Sequence, residues 1–319
     1  MNTPILFIIF NRLDTTKKVL SAIKNAKPPR LYVAADGARQ NKEGESEKVQ
    51  AIRNYVLDNI DWDCEVKTLF REKNVGCKEA VSNAITWLFE HEESGIILED
   101  DCLPHSDFFG FCDTLLTKYA DDERIAVITG NNFQNGIKRG EASYYFSKYN
   151  HVWGWATWRR AWKNYSGEIP FLPSWLNSNA WHETCPNFLE RRYWGKKFTQ
   201  CYEGKFTTAW DYPWTACLWY REQLTITPNV NLVSNIGFSE DSTHTHDINS
   251  PLNSIATYSI GDLVHPDPPI VVRNLEADLY TYKSTYGKDK IGFLQIFKTV
   301  LKYVFVLINN SFTGKRPWQ

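Results

Sequence analysis

The densest chemistry in this chain lies in three consecutive carboxylates, Glu99-Asp100-Asp101, which directly follow the apolar run Ile96-Ile97-Leu98. Adjacent carboxylates repel one another and gain little from a strand end, so a bound cation is their natural compensation. Oxygen-only donors suit a hard divalent ion, Mn²⁺ or Mg²⁺. A solvated acidic turn is the plain alternative. A fourth carboxylate, Asp211, precedes Tyr212-Pro213-Trp214. It is either a base that takes a proton from a hydroxyl or the N-cap of a helix whose first turn holds the proline. In the polar stretch 235–246, His244 is a candidate to complete a metal site, with His246 close behind; a loop or strand edge also explains such a pair. Two further side chains stand at neighbouring strand ends, Arg12 after Phe10-Asn11 and Asp36 before Gly37. Separately each reads as a surface ion pair or a turn aspartate; their coincidence points to one ligand.

The elements that must position these groups alternate strand and helix. Residues 5–10 form a first strand, and Asp14 caps a helix to Ala26 with Val19, Leu20 and Ile23 inward. Strands at 31–35 and 65–70 and helices at 47–59 and 78–92 lead to a short buried strand at 95–98 that runs into the acidic triplet. Such a βαβαβαβ order implies a parallel sheet with right-handed crossovers, whose ligands sit beyond the carboxyl ends of the strands. Ser106 caps a helix to about Tyr119, and 125–129 and 231–234 are further strands. In between, tryptophans dominate. The spacing of Trp155, Trp158 and Trp162 places the rings on one helical face, as core packing does.

The segment Ile97-Leu-Glu-Asp-Asp-Cys-Leu-Pro-His-Ser-Asp-Phe-Phe109 resembles the metal-site segment of N-acetylglucosaminyltransferase I and related inverting glycosyltransferases of the GT-A fold. Phe10-Asn11-Arg12, Ala35-Asp36-Gly37, Trp153-Gly154-Trp155 and Trp210-Asp211 resemble further segments of that family in the same order, over roughly residues 4–245. Bacterial proteins of unassigned role share the Trp-Gly-Trp-Ala-Thr-Trp and Asn-Ile-Gly-Phe pieces. The resemblance implies a Rossmann-like GT-A fold with a mostly parallel sheet. It implies that Asp101 binds Mn²⁺ or Mg²⁺, that Asp100 holds the ribose or a metal-bound water, and that Glu99 sits near the sugar. Arg12 and Asp36 would then read a uracil and Asp211 would be the base, with Trp153, Trp155, Trp210 and Trp214 stacking on sugar faces. The expected function is inverting transfer of a sugar, possibly N-acetylglucosamine, from a UDP-sugar to a glycan or lipid-linked acceptor in surface polysaccharide or glycoconjugate synthesis.

Composition sets the frame. The 319 residues, 43% hydrophobic and 23% charged, make an ordinary globular chain, read as a GT-A domain at 1–265 with a nucleotide half (1–130) and an acceptor half (131–265). A net charge of −1 with both signs interspersed excludes a nucleic-acid binder, which needs a concentrated basic surface. Seven cysteines without a CxxC pair suit reduced thiols in a cytoplasmic protein, and the apolar start reads as a buried strand instead of a signal peptide. The C-terminal extension, 266–319, contains an apolar stretch at 291–308 interrupted by Lys298 and Lys302, which suits a docked helix or a peripheral helix on the inner face of the cytoplasmic membrane. A sugar nucleotidyltransferase would carry a glycine-rich basic loop after the first strand; Asn11-Arg12-Leu13-Asp14 stands there instead. A non-catalytic carbohydrate-binding protein would keep the tryptophans without metal or base.

Overall fold

The structure, a computed structural model, describes residues 1–238, 250–261 and 267–287. The chain folds as β1 (Ile5–Ile9), α1 (Leu13–Ala26), β2 (Arg30–Ala35), α2 (Glu45–Asp58), β3 (Glu65–Phe70), α3 (Cys77–His91), β4 (Ser94–Glu99), β5 (Cys102–Pro104), α4 (Ser106–Lys118), β6 (Ile125–Thr129), β7 (Tyr144–Ser147) and β8 (Trp155–Trp158). Short helices follow, α5 (Arg159–Trp162), α6 (Leu172–Leu176) and α7 (Asn179–Thr184), then α8 (Phe188–Tyr202), α9 (Asp211–Tyr220), β9 (Leu224–Pro228), β10 (Val233–Asn235), α10 (Leu275–Thr281) and a π-helical turn, Tyr282–Tyr286.

Eight strands form one sheet in the order β3-β2-β1-β4-β8-β6-β9-β7, the Rossmann-like α/β arrangement expected of the alternating first half. The strands β1 to β4 are parallel; β8 lies antiparallel between β4 and β6, and β6 is parallel to β9. All but β7 and β8 therefore point the same way, and their carboxyl ends share one edge. Alternation along β1 sorts the core into two layers. Ile5, Phe7 and Ile9 join Val19, Leu20 and Ile23 of α1, with Ile52 and Phe108. Leu6 joins Val81, Ile85 and Leu88 of α3 and a layer of tryptophans.

Local differences from the sequence expectation have local causes. Trp155, Trp158 and Trp162 do not share a helical face. Trp155 and Trp158 lie in β8, which has hydrogen-bonding neighbours on both sides, and three-residue spacing in a strand sends their rings to opposite layers. Arg12, not Asp14, precedes the first residue of α1, and its carbonyl accepts from the Thr16 hydroxyl at 2.6 Å. His105, not Ser106, caps α4, its ring accepting from the Asp107 amide. The strand expected at 231–234 is β10, two residues further on, whereas β5, β7 and β9 carry no clear sequence signal; each is short and set by its partner.

The helical insert is fastened to the sheet by a buried ion pair. Lys148, just after β7, meets Glu190 of α8 at 2.8 Å with both side chains at most 4% exposed. The Lys148 ammonium also donates to the Thr184 carbonyl and lies 4.2 Å from the Trp219 ring centre, while the Tyr149 hydroxyl donates to Glu190. A lone buried charge is far costlier than a satisfied pair. Glu190→Ala should therefore lower unfolding free energy by about 3–5 kcal/mol in urea titrations, and Lys148→Met with Glu190→Leu should recover most of it. A loss under about 1 kcal/mol, the scale of an exposed pair, would contradict this account.

Candidate functional site

At the shared carboxyl edge, Arg12 at the start of α1 reaches across to the end of β4. Its two terminal nitrogens contact Asp100 at 2.9 Å and Asp101 at 3.0 Å, and one donates weakly to the Gly237 carbonyl. Asp100, 3% exposed, also accepts the Phe10 amide at 3.1 Å. Burial alone would lower the Arg12 pKa, but Asp100 and Asp101 raise it above its ordinary value. The cluster stays acidic nonetheless. Burial, then the charges of Asp101 and Asp100, push Glu99 up to about 8, and Asp211 adds to the effect. Asp100 is pushed up to about 6 by burial, against the pull of Arg12. Asp211 is the first residue of α9, with Trp210 at the cap position, and its charge reaches Glu99 at the head of the triplet. Its charge also raises the Cys77 thiol, after burial and Glu99.

The segment after β10 closes the back of this group. Antiparallel pairing of β10 with β5 sets Asn235 opposite Cys102, and the Ile236 amide donates to the Asp101 carbonyl at 2.9 Å. Gly237 then passes so close that a Cβ there would lie 2.2 Å from Asp101 Oδ2 and 2.5 Å from Arg12 Nη1.

Beside the acids opens a cavity of about 250 Å³, lined among others by Phe10, Arg12, Asp36, Arg71, Cys77 and Glu99. Asp36 shapes its wall. One carboxylate oxygen accepts the amides of Gly37 and Val75 and the other those of Val75 and Gly76, at 2.9–3.1 Å. A carboxylate has about four acceptor positions, so backbone amides fill those of Asp36. Its neighbour Gly37 is demanded by space, since a Cβ would lie 2.4 Å from the Lys73 carbonyl carbon. Asp36 thus anchors the 74–76 turn that starts α3. Arg12 also lines this cavity while its guanidinium is engaged by Asp100 and Asp101. Sequence reasoning passed over Arg71, one residue beyond β3, which lines the cavity without an ion-pair partner among the described residues. Its position beyond a strand end was the available signal. The first turn of α3 adds the positive end of a helix dipole to the same wall.

The tryptophans divide. Trp155, Trp210 and Trp214 are 1%, 4% and 0% exposed, and their rings pack on one another and on Trp162. Covered faces cannot stack on a ligand, so these three are core, a correction to the expected sugar platform. Trp153 is half-buried between Phe133 and Phe238, at ring distances of 5.7 and 5.8 Å. His244, His246 and the stretch 291–308 lie outside the described residues.

Among the described residues, no three His, Cys, Asp or Glu side chains are grouped to hold a metal. The donor chemistry still fits a hard divalent ion, because three successive carboxylates, all oxygen donors, outnumber the single guanidinium of Arg12. Such an ion would take Asp101 and complete its shell with oxygens from a ligand and water. No helix of the described residues is long and apolar enough to cross a membrane.

The chain matches no protein-family model and no curated protein. Among solved structures it is similar to mannosyltransferase PcManGT from Pyrobaculum calidifontis in complex with GDP-Man and Mn²⁺, at 15% identity over 49% of this chain and 44% of that one, with a TM-score of 0.32. HddC from Yersinia pseudotuberculosis is 11% identical over 54% of this chain and 86% of its own, TM-score 0.33. Residues 1–349 of S. aureus TarS are 11% identical over 50% and 47%, TM-score 0.34. The chain spans less than half of the mannosyltransferase, and likeness at this level identifies neither ligand nor reaction.

Because nothing flexible lies between Gly237 and the body of Asp101, Gly237→Ala should overpack the site and cost about 1–3 kcal/mol in chemical denaturation. Gly167, likewise outside the positive-φ region and with only ordinary contacts of 3.4–3.6 Å for an added Cβ, is the control for the glycine-to-alanine change alone. Equal losses at the two positions would show that the close approach carries no weight.

Proposed function

We propose that this protein is a glycosyltransferase that moves a sugar from a UDP-sugar to a hydroxyl acceptor with inversion at the anomeric carbon. The convergence of Asp211 with Glu99, Asp100 and Asp101 beside a cavity lined by Arg71 is the observation that carries this reading. The cavity takes the nucleotide, with Arg71 and the first turn of α3 facing its anionic part and the apolar strand ends its base. Asp101 would hold a divalent cation. When bound, that cation offsets the charge developing on the leaving diphosphate. Arg12, which lines the cavity, holds Asp100 and Asp101 together through its two terminal nitrogens. Glu99 lies on the sugar side. Asp211 takes the proton of the acceptor hydroxyl as its oxygen bonds to the anomeric carbon and UDP departs with the bonding electrons. The sugar, N-acetylglucosamine by the resemblance of the acidic segment, is the least constrained part.

Asp101→Asn should remove Mn²⁺-dependent binding of UDP, measured by calorimetry, while melting as the wild type does, because an amide is a poor ligand for a hard cation. Unchanged affinity would refute the metal role. Conversely, release of pyrophosphate from UTP and a sugar 1-phosphate would identify a nucleotidyltransferase.

Asp211→Asn should cut transfer by about a hundredfold or more while donor binding persists, since a base acts only as the hydroxyl loses its proton. The asparagine keeps size and helix-start chemistry, so a structural role would leave turnover nearly intact. Proton NMR of the product should show the inverted anomer; retention would reject single displacement.

A further inference from the structure

A second, larger cavity of about 740 Å³ opens on the same edge of the sheet, well within the size range of ligand sites. Its walls come from the ends of three adjacent strands: Phe133 beyond β6, Asn229 and Val230 beyond β9, and Ser143 just before β7. Strands β7, β9 and β6 are consecutive in the sheet, and β8 alone separates β6 from β4 with its acidic end. Trp153 spans this gap, its ring against Phe133 of the large cavity on one side and Phe238, next to Gly237, on the other.

Resting on the reaction proposed above, we infer that this cavity seats the far end of an elongate, uncharged glycan acceptor. The charge pattern of the described wall favours an uncharged ligand. Among the described residues of the wall, Lys138 and Glu141 are the only charged ones, and they face each other at 3.8 Å. The rest pairs aromatic and aliphatic surface, from Phe133, Tyr258, Leu252 and Ile255, with the hydroxyls of Ser143 and Ser284. That mixture matches the apolar faces and hydroxyl rims of pyranose rings. The side chains of Asn132, Asn229 and Asn231 are held by backbone partners, so the wall is preformed. Elongation follows from the sheet. Two to three strand spacings between β4 and the cavity amount to roughly 10–14 Å, beyond the reach of one sugar ring, so a chain of rings must bridge cavity and acids.

Saturation-transfer NMR with cellotetraose and N-acetylchitotetraose, without nucleotide or metal, tests this independently of the donor site. At least one tetrasaccharide should bind saturably, and better than glucose or N-acetylglucosamine. Ala256→Trp, at an exposed position of the wall, should abolish the signal, and Tyr258→Ala should weaken binding about three- to tenfold. Absence of saturable binding by both tetrasaccharides, undiminished binding by Ala256→Trp, or displacement by the uncharged prenyl alcohol farnesol would overturn the assignment. Because UDP binding is measured separately, loss of the donor-site reading and loss of this one are distinguishable.

Discussion

The bridge from Arg12 to Asp100 and Asp101 is the interaction on which the carboxyl edge depends. Asp100 is almost fully buried and Asp101 nearly so, and an isolated carboxylate in that setting would take up a proton or push the chain apart. One guanidinium answers both because its forked donors address two acceptors at once, which an ammonium cannot do. It also ties the start of α1 to the end of β4, and through Gly237 it ties both to the segment after β10. One cation cannot balance the whole group. Burial first, and then the charges of Asp101 and Asp100, lift Glu99.

Around that bridge the structure separates rigid support from open surface. The tryptophan layer under α3 and α9 fixes where Asp211 begins its helix, since Trp210 and Trp214 on either side of it are locked among other rings. Asp36 does comparable work on the other wall by collecting backbone amides from the 74–76 turn. Both determine where Arg71, Cys77 and Asp211 stand. Polar residues with the strongest sequence resemblance thus turn out to be builders of the cavity as much as occupants of its surface.

The parallel half was largely legible in the sequence, because its strands are near-continuous apolar runs and its helices are long enough for a 3.6-residue period to register. The acidic triplet was legible for the same reason, as a break in polarity at the end of a buried strand. Beyond Thr129 the periods are too short to read. In β8 a four-residue strand carries two tryptophans whose spacing also suits a helix, and only its two neighbours in the sheet decide the matter.

From the sequence alone came the order of strands and helices, the edge on which ligands gather, and the carboxylates at that edge, all properties that reside in local pattern and residue type. Tertiary structure decided which groups meet. That Arg12 pairs with the acids, that Asp36 is filled by backbone amides, that Trp155, Trp210 and Trp214 are core, and that Arg71 faces a cavity are facts about residues distant in the chain. Such pairings are set by burial and charge balance in the assembled sheet, and no local window of sequence contains both partners.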